Sequence, residues 1–564
     1  MDWIGATFGK YPELAVFLVV GVGCWVGGFK FRGFGLGPVT GSLLVGLLVG
    51  SVFTVPVSTT AKSILFLLFL FSIGYSVGPK FFQAMKGDGW RWALLAVVIT
   101  FSGLFAAFGV ARFLGLDAGY AAGLVSGALT ESPAIGTATE AINALPLPEA
   151  ERNRLIGHVA VGDAICYVFG AFGVIVFCSV IGPKLLGIDL KDAAESVEKR
   201  LGIDRTKPGV ESAWRPFELR AYRVAENGRI AGRSVSEIEK MLPDTRIFME
   251  RIRRGEHMLE PTADTRIEVG DVVALAARRE VLTEIIGPGG AFEVDDRVTL
   301  DVPMATYDVF VTSKAVVGKT IAGIAASDLS LRSVFLRAIM RTGQDIPVAP
   351  GTTVERGDVV RLTGPEHAVV RAANEIGKTV LPSDTTDFVA LALGIVAGAI
   401  LGVLFVIPLG ALRIPLGTSV GTLLVGLLVG YAHSVRPTFA RIPDGAVSLM
   451  ISLGLAAFVA MIGLGAGPHF IEALHDAGAG LFFGGIIVTS VPLVVGLYFG
   501  RYVLKLDPVL LLGGIAGALT MTAGMAGVQE RSGSPVAVLG YSGTVAIGHI
   551  LLTTWGTVIV HLMT

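Results

Sequence analysis

Phe34 to Gly50 reads FGLGPVTGSLLVGLLVG and Ile414 to Gly430 reads IPLGTSVGTLLVGLLVG, two stretches that agree at 11 of 17 positions with an offset of 380. Both are uncharged and punctuated by glycine, which suits a segment packed in lipid or inside a helical bundle better than one facing water. The correspondence continues along the chain. Gly78-Pro79-Lys80-Phe81 is answered by Gly467-Pro468-His469-Phe470, Gly127-Ala128-Leu129-Thr130 by Gly517-Ala518-Leu519-Thr520, and Val159-Ala160-Val161-Gly162-Asp163 by Val545-Ala546-Ile547-Gly548-His549. The order is kept throughout, so a whole block is duplicated.

Composition says what kind of block it is. The 564 residues are 52% hydrophobic and 16% charged, with a mean hydropathy of +0.69, which rules out a single soluble globular enzyme. There are 45 basic and 46 acidic residues; of these 91, residues 1–181 hold 19, residues 387–564 hold 12, and residues 182–386 hold 60. Two apolar blocks therefore flank a soluble insert. The net charge of -1 gives no basic excess for nucleic acid. Cys24, Cys166 and Cys178 all fall in apolar segments without CxxC spacing, so they read as small packing residues. The N-terminus, acidic at Asp2 and without a small-residue cleavage pattern, does not read as a signal peptide.

A bilayer-spanning helix needs about 20 mostly apolar residues. Uncharged stretches of that kind cover 14–29, 33–61, 63–79 and 92–111, followed by a helix near 155–181; the second half offers 388–412, 414–435, 445–471, 477–500 and 532–564. Five crossings per half are expected. One segment in each half fits badly: Ala118 to Thr130 runs into Glu131-Ser132-Pro133, and Val509 to Thr520 into Thr522, Gly524 and Gly527. Short, interrupted apolar segments at matching places in two halves point to a transport site, because broken helices expose backbone N–H and C=O groups. An odd number of crossings before the insert turns the second copy over. The expected fold is thus a polytopic α-helical membrane protein. It has two inverted-topology repeats, each of about five transmembrane helices plus one re-entrant or broken segment, with small α/β domains inserted between them. Arg436, Arg441, Arg501, Lys505 and Arg531 lie in loops on the side of the insert, against Arg413 alone opposite, which puts the insert in the cytoplasm. Lys30, Arg32, Lys80, Lys86 and Arg91 agree, although Lys10, Lys62, Arg112, Arg152 and Arg154 fall on the other side.

The insert repeats too. Gly232-Arg233-Ser234-Val235, Arg254-Gly255 and Gly270-Asp271-Val272-Val273 parallel Gly318-Lys319-Thr320-Ile321, Thr342-Gly343 and Gly357-Asp358-Val359-Val360. Each Gly-Asp pair is a turn signal before a buried strand, with glycine permitting positive φ and aspartate closing the turn. This pattern resembles the RCK C-terminal (TrkA-C) domain, a small α/β module whose members dimerise or sense small ligands. The resulting organisation is residues 1–183 as the first membrane repeat, 184–204 as a linker, 205–290 and 291–380 as two TrkA-C-like domains, and 381–564 as the second membrane repeat.

Taken together, the two inverted halves around tandem TrkA-C-like units, the opening MDWIGATFGKYPELAVFLVV and the paired GALT segments resemble the aspartate-alanine exchanger family of bacterial carriers. The resemblance covers essentially the whole chain. It implies a secondary antiporter of the bacterial inner membrane, exchanging an acidic amino acid or dicarboxylate, aspartate first, for a smaller amino acid such as alanine. It also implies a homodimer in contact with membrane lipid, with a possible small regulatory ligand at the TrkA-C-like domains. No cofactor, metal or nucleic acid is implied, and no catalytic spacing of the Ser-His-Asp, HExxH or nucleotide-loop kind stands out in the membrane blocks. The alternative is a TrkA-C-regulated ion channel or cation transporter; a further one is a membrane sensor.

Ionisable residues at membrane depth are costly, so they serve a cavity, a pathway or a partner. The candidates for substrate binding are Thr130, Glu131, Ser132 and Pro133 at the first break and Thr520 and Thr522 at the second; for coupling or gating they are His158, Asp163 and His549. Threonine and serine hydroxyls and half-helix N-termini neutralise a carboxylate without adding charge. Glu131 suits the α-ammonium of an amino acid, or else caps a helix. Asp163 and His549, at equivalent points of the two copies, are expected to pair, with a proton or a substrate ammonium competing for Asp163; a purely structural hydrogen bond is the other reading. The second copy lacks the carboxylate and the proline of Glu131 and Pro133, having Met521 and Ala523 there, so a symmetric site is not expected. Pro79 and Pro468 are expected to end helices.

Overall fold

A computed structural model describes residues 2–564 except 32–33, 36, 85–88, 202–216, 227, 242–246, 279–280, 283, 285–290, 326–332, 342–343, 380–384, 410–411 and 437–438. Arg32, Lys86 and the Thr342-Gly343 pair of the sequence reading lie outside the described residues. The chain divides into two compact units, one of residues 1–198, 341–346 and 382–564, the other of residues 199–340 and 347–381.

The first unit is helical and shows the duplication element by element. After a short leading helix, Asp2–Lys10, copy one runs α1 (Pro12–Gly27), α2 (Pro38–Val52), α3 (Thr59–Ala84), α4 (Gly89–Leu114), α5 (Ala118–Ala128), α6 (Pro133–Ala144) and α7 (Glu149–Val176). Copy two runs α8 (Phe388–Leu404), α9 (Gly417–Val435), α10 (Asp444–Ala466), α11 (Phe470–Tyr498), α12 (Pro508–Ala518), α13 (Thr522–Ser532) and α14 (Ala537–Met563). Each helix has its counterpart seven places later. A two-stranded hairpin joins the first two helices in both copies, Lys30–Phe31 with Phe34–Gly35 and Val406–Leu409 with Leu412–Pro415.

Among the described residues seven helices can cross a membrane by length and composition: Thr59–Pro79, Gly89–Leu114, Glu149–Leu186, Gly417–Val435, Asp444–Ala466, Phe470–Val503 and Ala537–Met563. An eighth is added if Trp3–Lys10 and Pro12–Gly27, which meet at 106°, count as one span. Five full crossings per half were expected. The difference has a physical source: the uncharged windows 33–61 and 388–412 hold helices of only 15 and 17 residues, α2 and α8. At about 1.5 Å per residue these reach roughly 22 to 26 Å, short of a core about 30 Å thick. The rest of window 388–412 goes to the hairpin, and that of 33–61 to one hairpin strand, a non-helical stretch at 53–58 and the start of α3, which hydropathy cannot tell from a continuous helix. Pro79 does not end α3 but lies inside it, whereas Pro468 sits in the 3-10 turn Gly467–His469 between α10 and α11.

Glycines let these helices meet backbone to backbone. Gly119, Gly123 and Gly127 form a stripe on α5, where a methyl group on each would collide with Leu155, with Val159 and Asp163, and with Asp163 and Cys166 of α7. Gly513 and Gly517 do the same for α12 against Ala537 and Tyr541 of α14. The copies also exchange partners. Gly74 and Gly78 of α3 abut Leu423 and Leu427 of α9, while Gly46 and Gly50 of α2 abut Ala460 and Leu464 of α10. Since α9 is the counterpart of α2 and α10 of α3, the two contacts are one contact used twice. In lipid, where the hydrophobic effect does not draw helices together, close packing of small residues is what holds them.

Between residues 217 and 379 lie two sheets of one design. The first has the strand order His257–Leu259, Phe248–Arg254, Val272–Arg278, Phe217–Val224, Ala291–Glu293. The second has Gln344–Ile346, Phe335–Arg341, Val359–Pro365, Met304–Val311, Gly377–Thr379 in the same sequence of positions. The Gly-Asp turns are built alike: Gly270 and Gly357 both have φ 92, and Asp271 and Asp358 accept the N–H of Glu268 and Glu355, each at 2.8 Å. Ile252, Val273 and Leu275 are fully buried at the centre of the first sheet. One boundary moves. Ala291–Glu293 pairs with Tyr222 to Val224 and completes the first sheet, so it belongs to the first domain rather than to a second starting at residue 291.

Candidate functional site

The two broken segments end in the same way. In copy one the Thr130 N–H bonds the Gly127 carbonyl at 3.1 Å and the Glu131 N–H reaches back to Ser126 at 2.8 Å; in copy two Thr520 bonds Gly517 at 2.9 Å and Met521 reaches Ala516 at 2.8 Å. This pair of bonds is the Schellman closure of a helix, which puts its C′ residue in the left-handed region and normally puts glycine there. Here the residue is threonine, with φ 59 at Thr130 and 56 at Thr520. A β-branched residue in that region is strained by roughly 1–3 kcal/mol and persists only where its surroundings fix it.

What fixes the tips is each other. The Thr130 hydroxyl donates to the Leu519 carbonyl at 2.7 Å, and the Thr520 hydroxyl donates to Glu131 Oε2 at 2.9 Å. Glu131 is 1% exposed. Its other oxygen, Oε1, takes a hydrogen bond from the Thr553 hydroxyl at 2.9 Å and lies 3.2 Å from His549 Nδ1. His549 and Thr553 are one turn apart on α14 and so share a face. The lower half of the break is stitched to the same helix: Thr137 of α6 donates to the Thr553 carbonyl at 2.6 Å, and the Thr557 hydroxyl to the Thr137 carbonyl at 3.3 Å. Thr489 of α11 donates to the Ala128 carbonyl at 2.8 Å, occupying a carbonyl that the end of α5 leaves open.

The remaining expected residues separate. His549 is paired with Glu131, not with Asp163. The offset of Asp163 and His549 along the sequence holds, but only His549 reaches the other copy's tip, whereas Asp163 packs against Gly123 and Gly127 of α5 in its own copy. Asp163 is 1% exposed, and among the described residues neither of its oxygens has a hydrogen-bond partner. His158 does not join the tips. Its Nδ1 lies 2.6 Å from Asp117 Oδ2, and its ring stacks on Tyr120 at 4.0 Å. Asp117 also caps α5 by accepting the Tyr120 N–H at 2.9 Å. Burial pushes the Asp117 carboxyl up, but the His158 ring and the Tyr120 N–H outweigh it and hold it below the ordinary carboxylate value. Ser132 makes no cap hydrogen bond at the start of α6, Pro133 opens that helix without an N–H to offer, and Thr522 is 3.0 Å from the Tyr541 hydroxyl.

Sequence reasoning passed over Thr553, Tyr541 and Glu140. Thr553 had a signal available, being four residues after His549 and so on its face. Glu140, at the far end of α6, accepts the Thr418 N–H at 2.5 Å, the Thr418 hydroxyl at 2.6 Å and the Ser419 N–H at 3.0 Å, closing the N-terminus of α9 from the other copy. Nothing in the sequence near either residue announces that contact. Among the described residues no group of three His, Cys, Asp or Glu side chains is placed to hold a metal ion.

Chemically, the junction offers threonine hydroxyls, helix ends and a carboxylate already holding an imidazole and two hydroxyls, all inside the helical unit. That is equipment for binding and releasing a polar solute. Residues 15–183 and 390–561 match the Asp-Al_Ex family model, described as a predicted permease membrane region, and residues 219–287 match the TrkA-C domain. An uncharacterized transporter of Bradyrhizobium diazoefficiens is 51% identical over 92% of this chain and 100% of its own length. Uncharacterized transporters of Bordetella parapertussis and Shewanella oneidensis are 39% and 36% identical, over 98% and 100% of this chain and 96% and 100% of theirs. With both membrane copies covered by one permease family and such relatives matched end to end, the chain belongs to the aspartate-alanine exchanger (Asp-Al_Ex) family of multi-pass membrane transporters and carries a TrkA-C domain.

Proposed function

We propose that this transporter is a secondary antiporter. It exchanges an acidic amino acid or dicarboxylate, aspartate first, for a smaller amino acid such as alanine, by alternating access between two copies of opposite topology in a bacterial inner membrane. The TrkA-C-like units lie in the cytoplasm, the protein works as a dimer, and a small ligand at those units sets its rate. The observation that carries this reading is the joint between the tips: Thr130 bonded to Leu519 and Thr520 to Glu131. Two strained, broken helices of equivalent sequence meet there, the arrangement through which inverted-repeat carriers present helix ends to a solute. The reciprocal packing of α3 on α9 and α2 on α10 supports a twofold relation between the copies.

The solute would be held by the hydroxyls of Ser132 and Thr522 and, once the joint between the tips opens, by those of Thr130 and Thr520, with the positive dipole ends at the starts of α6 and α13 favouring a carboxylate. Glu131, already holding three partners, acts as the post on which the tips close rather than as the ammonium site. The test is counterflow. Purified protein in vesicles loaded with unlabelled alanine should take up labelled aspartate, and empty vesicles should not. Equal uptake by empty vesicles would remove exchange; uptake driven only by loaded malate or succinate would move the substrate class to dicarboxylates.

A further inference from the structure

The duplication makes a sharper statement about Asp163. His549 occupies its position in copy two, Thr553 that of Tyr167, and Met521 that of Glu131. In the structure His549 and Thr553 both address Glu131. That relation is not repeated for Asp163, which packs against Gly123 and Gly127 of α5 in its own copy. Among the described residues neither of its oxygens has a hydrogen-bond partner, although it is 1% exposed. The one polar side chain acting on it from α5, Ser126, gives its hydroxyl to the Gly123 carbonyl at 3.1 Å.

Among the described residues no other charge is near to balance it. On its own helix its titratable neighbours are Cys166 and Tyr167, both neutral groups. Of the helices packed on α7, α2 has no charged residue, α10 has none after Asp444, and α11 has none from Ala477 to Tyr498. α6 carries Glu140, engaged by Thr418 and Ser419, and α13 carries Glu530 and Arg531 in its last turn. An ionised carboxylate in such surroundings, without donor or counter-ion, is strongly disfavoured. A metal ion would need several converging oxygens. Nor does the glycine contact of α5 on α7 leave room for a methyl group beside the Asp163 backbone, and still less for an ammonium-bearing solute.

We infer that Asp163 is a proton-binding site, which takes one proton as its neutralising partner and exchanges it with water once per transport cycle. The carboxylate gains a proton when the junction faces one side and returns it when it faces the other, so no other species is consumed. This rests on the exchange reading only for the solute that drives the cycle.

The experiment uses the full chain in vesicles loaded with alanine and a trapped pH indicator, with labelled aspartate outside. Expected are a pH change inside in step with label uptake in the wild type, and at least a tenfold smaller change per aspartate in Asp163→Asn. Label uptake without any pH change in the wild type overturns the proton site and leaves exchange standing. Absence of label uptake overturns exchange instead, and the proton is then read directly by infrared spectroscopy of the purified protein. A carboxylic-acid band at neutral pH that disappears in Asp163→Asn supports the site, and identical spectra overturn it.

Discussion

Thr130 and Thr520 lie at the same point of the two copies and adopt the same uncommon backbone, with φ 59 and 56, and each tip is fastened to the other by a threonine hydroxyl. The strain and the joint can be told apart by substitution. Thr520→Ala keeps a Cβ in the left-handed region and loses the donor to Glu131. Thr520→Gly loses the same donor but removes the steric cost. The glycine variant should therefore be more stable than the alanine variant by about 1 kcal/mol, read as the order of thermal unfolding midpoints in detergent. Both should exchange aspartate more slowly than wild type, because Glu131 has lost its bond across the break. Equal midpoints for the two variants would mean that the threonine backbone stores no strain.

Glu140 makes an asymmetric clasp. Its carboxylate closes the N-terminus of α9 through Thr418 and Ser419. Gly417, with φ 75, has no space for a side chain, since a Cβ there would lie 3.0 Å from the Glu140 carboxylate. The counterpart in the other copy lacks the means: Glu530 is exposed, and α2 begins Gly37-Pro38, where proline has no N–H. Loss of a charged cap costs about 1–2 kcal/mol. Glu140→Ala should therefore destabilise the purified transporter by that amount, while Glu530→Ala stays within about 0.5 kcal/mol of wild type. Comparable losses from the two substitutions in a thermal shift measurement would show that the clasp is not one-sided.

The duplication, the two breaks and the insert are legible in the sequence because each leaves a local mark: a repeated string, a glycine-interrupted apolar run, a change in charge density. The Gly-Asp turns were legible for the same reason, since a positive φ selects glycine. What sequence could not give was which copy each buried polar group faces. Asp163 and His549 stand at equivalent points of the two copies, yet His549 pairs with Glu131 at the other copy's break, while Asp163 packs against α5 of its own copy. Hydropathy also counted α2 and α8 as full spans, because apolar strand and loop residues add as much to a window as apolar helix residues.

The glycine stripe of α5 is a prediction about backbone distance. A Cβ at Gly123 would come within 2.9 Å of the Asp163 nitrogen and 2.7 Å of the Gly162 Cα, both backbone atoms that cannot swing aside. Gly123→Ala must push α5 from α7 and carry the Thr130–Glu131 tip with it. Gly109, with nothing within 4 Å of its Cβ position, is the control. We expect Gly123→Ala to lose most exchange and lower the unfolding midpoint, while Gly109→Ala does neither, because a helical glycine open to its surroundings gains slightly from the change. Near-wild-type exchange in Gly123→Ala would show that the contact is looser than drawn.

In the soluble unit, Asp296 is the group whose titration can be followed. Its carboxylate accepts hydrogen bonds from Arg253 Nε at 2.6 Å and from the Thr299 hydroxyl at 2.9 Å. Burial pushes it up, but the Arg253 guanidinium and Thr299 outweigh that and hold it below its ordinary 3.8. A carboxyl lowered on folding adds stability that is present above its unfolded value and is lost as the pH falls through the folded one. Amide exchange in the strand Phe248–Arg254 should accordingly show a constant protection factor from pH 7 down to about 4, a decline below that, and no such decline in Asp296→Asn. The substitution should also lower protection at neutral pH, since Arg253 then keeps a partner without charge. A decline of equal size in the variant would assign the acid sensitivity of this sheet to another carboxylate.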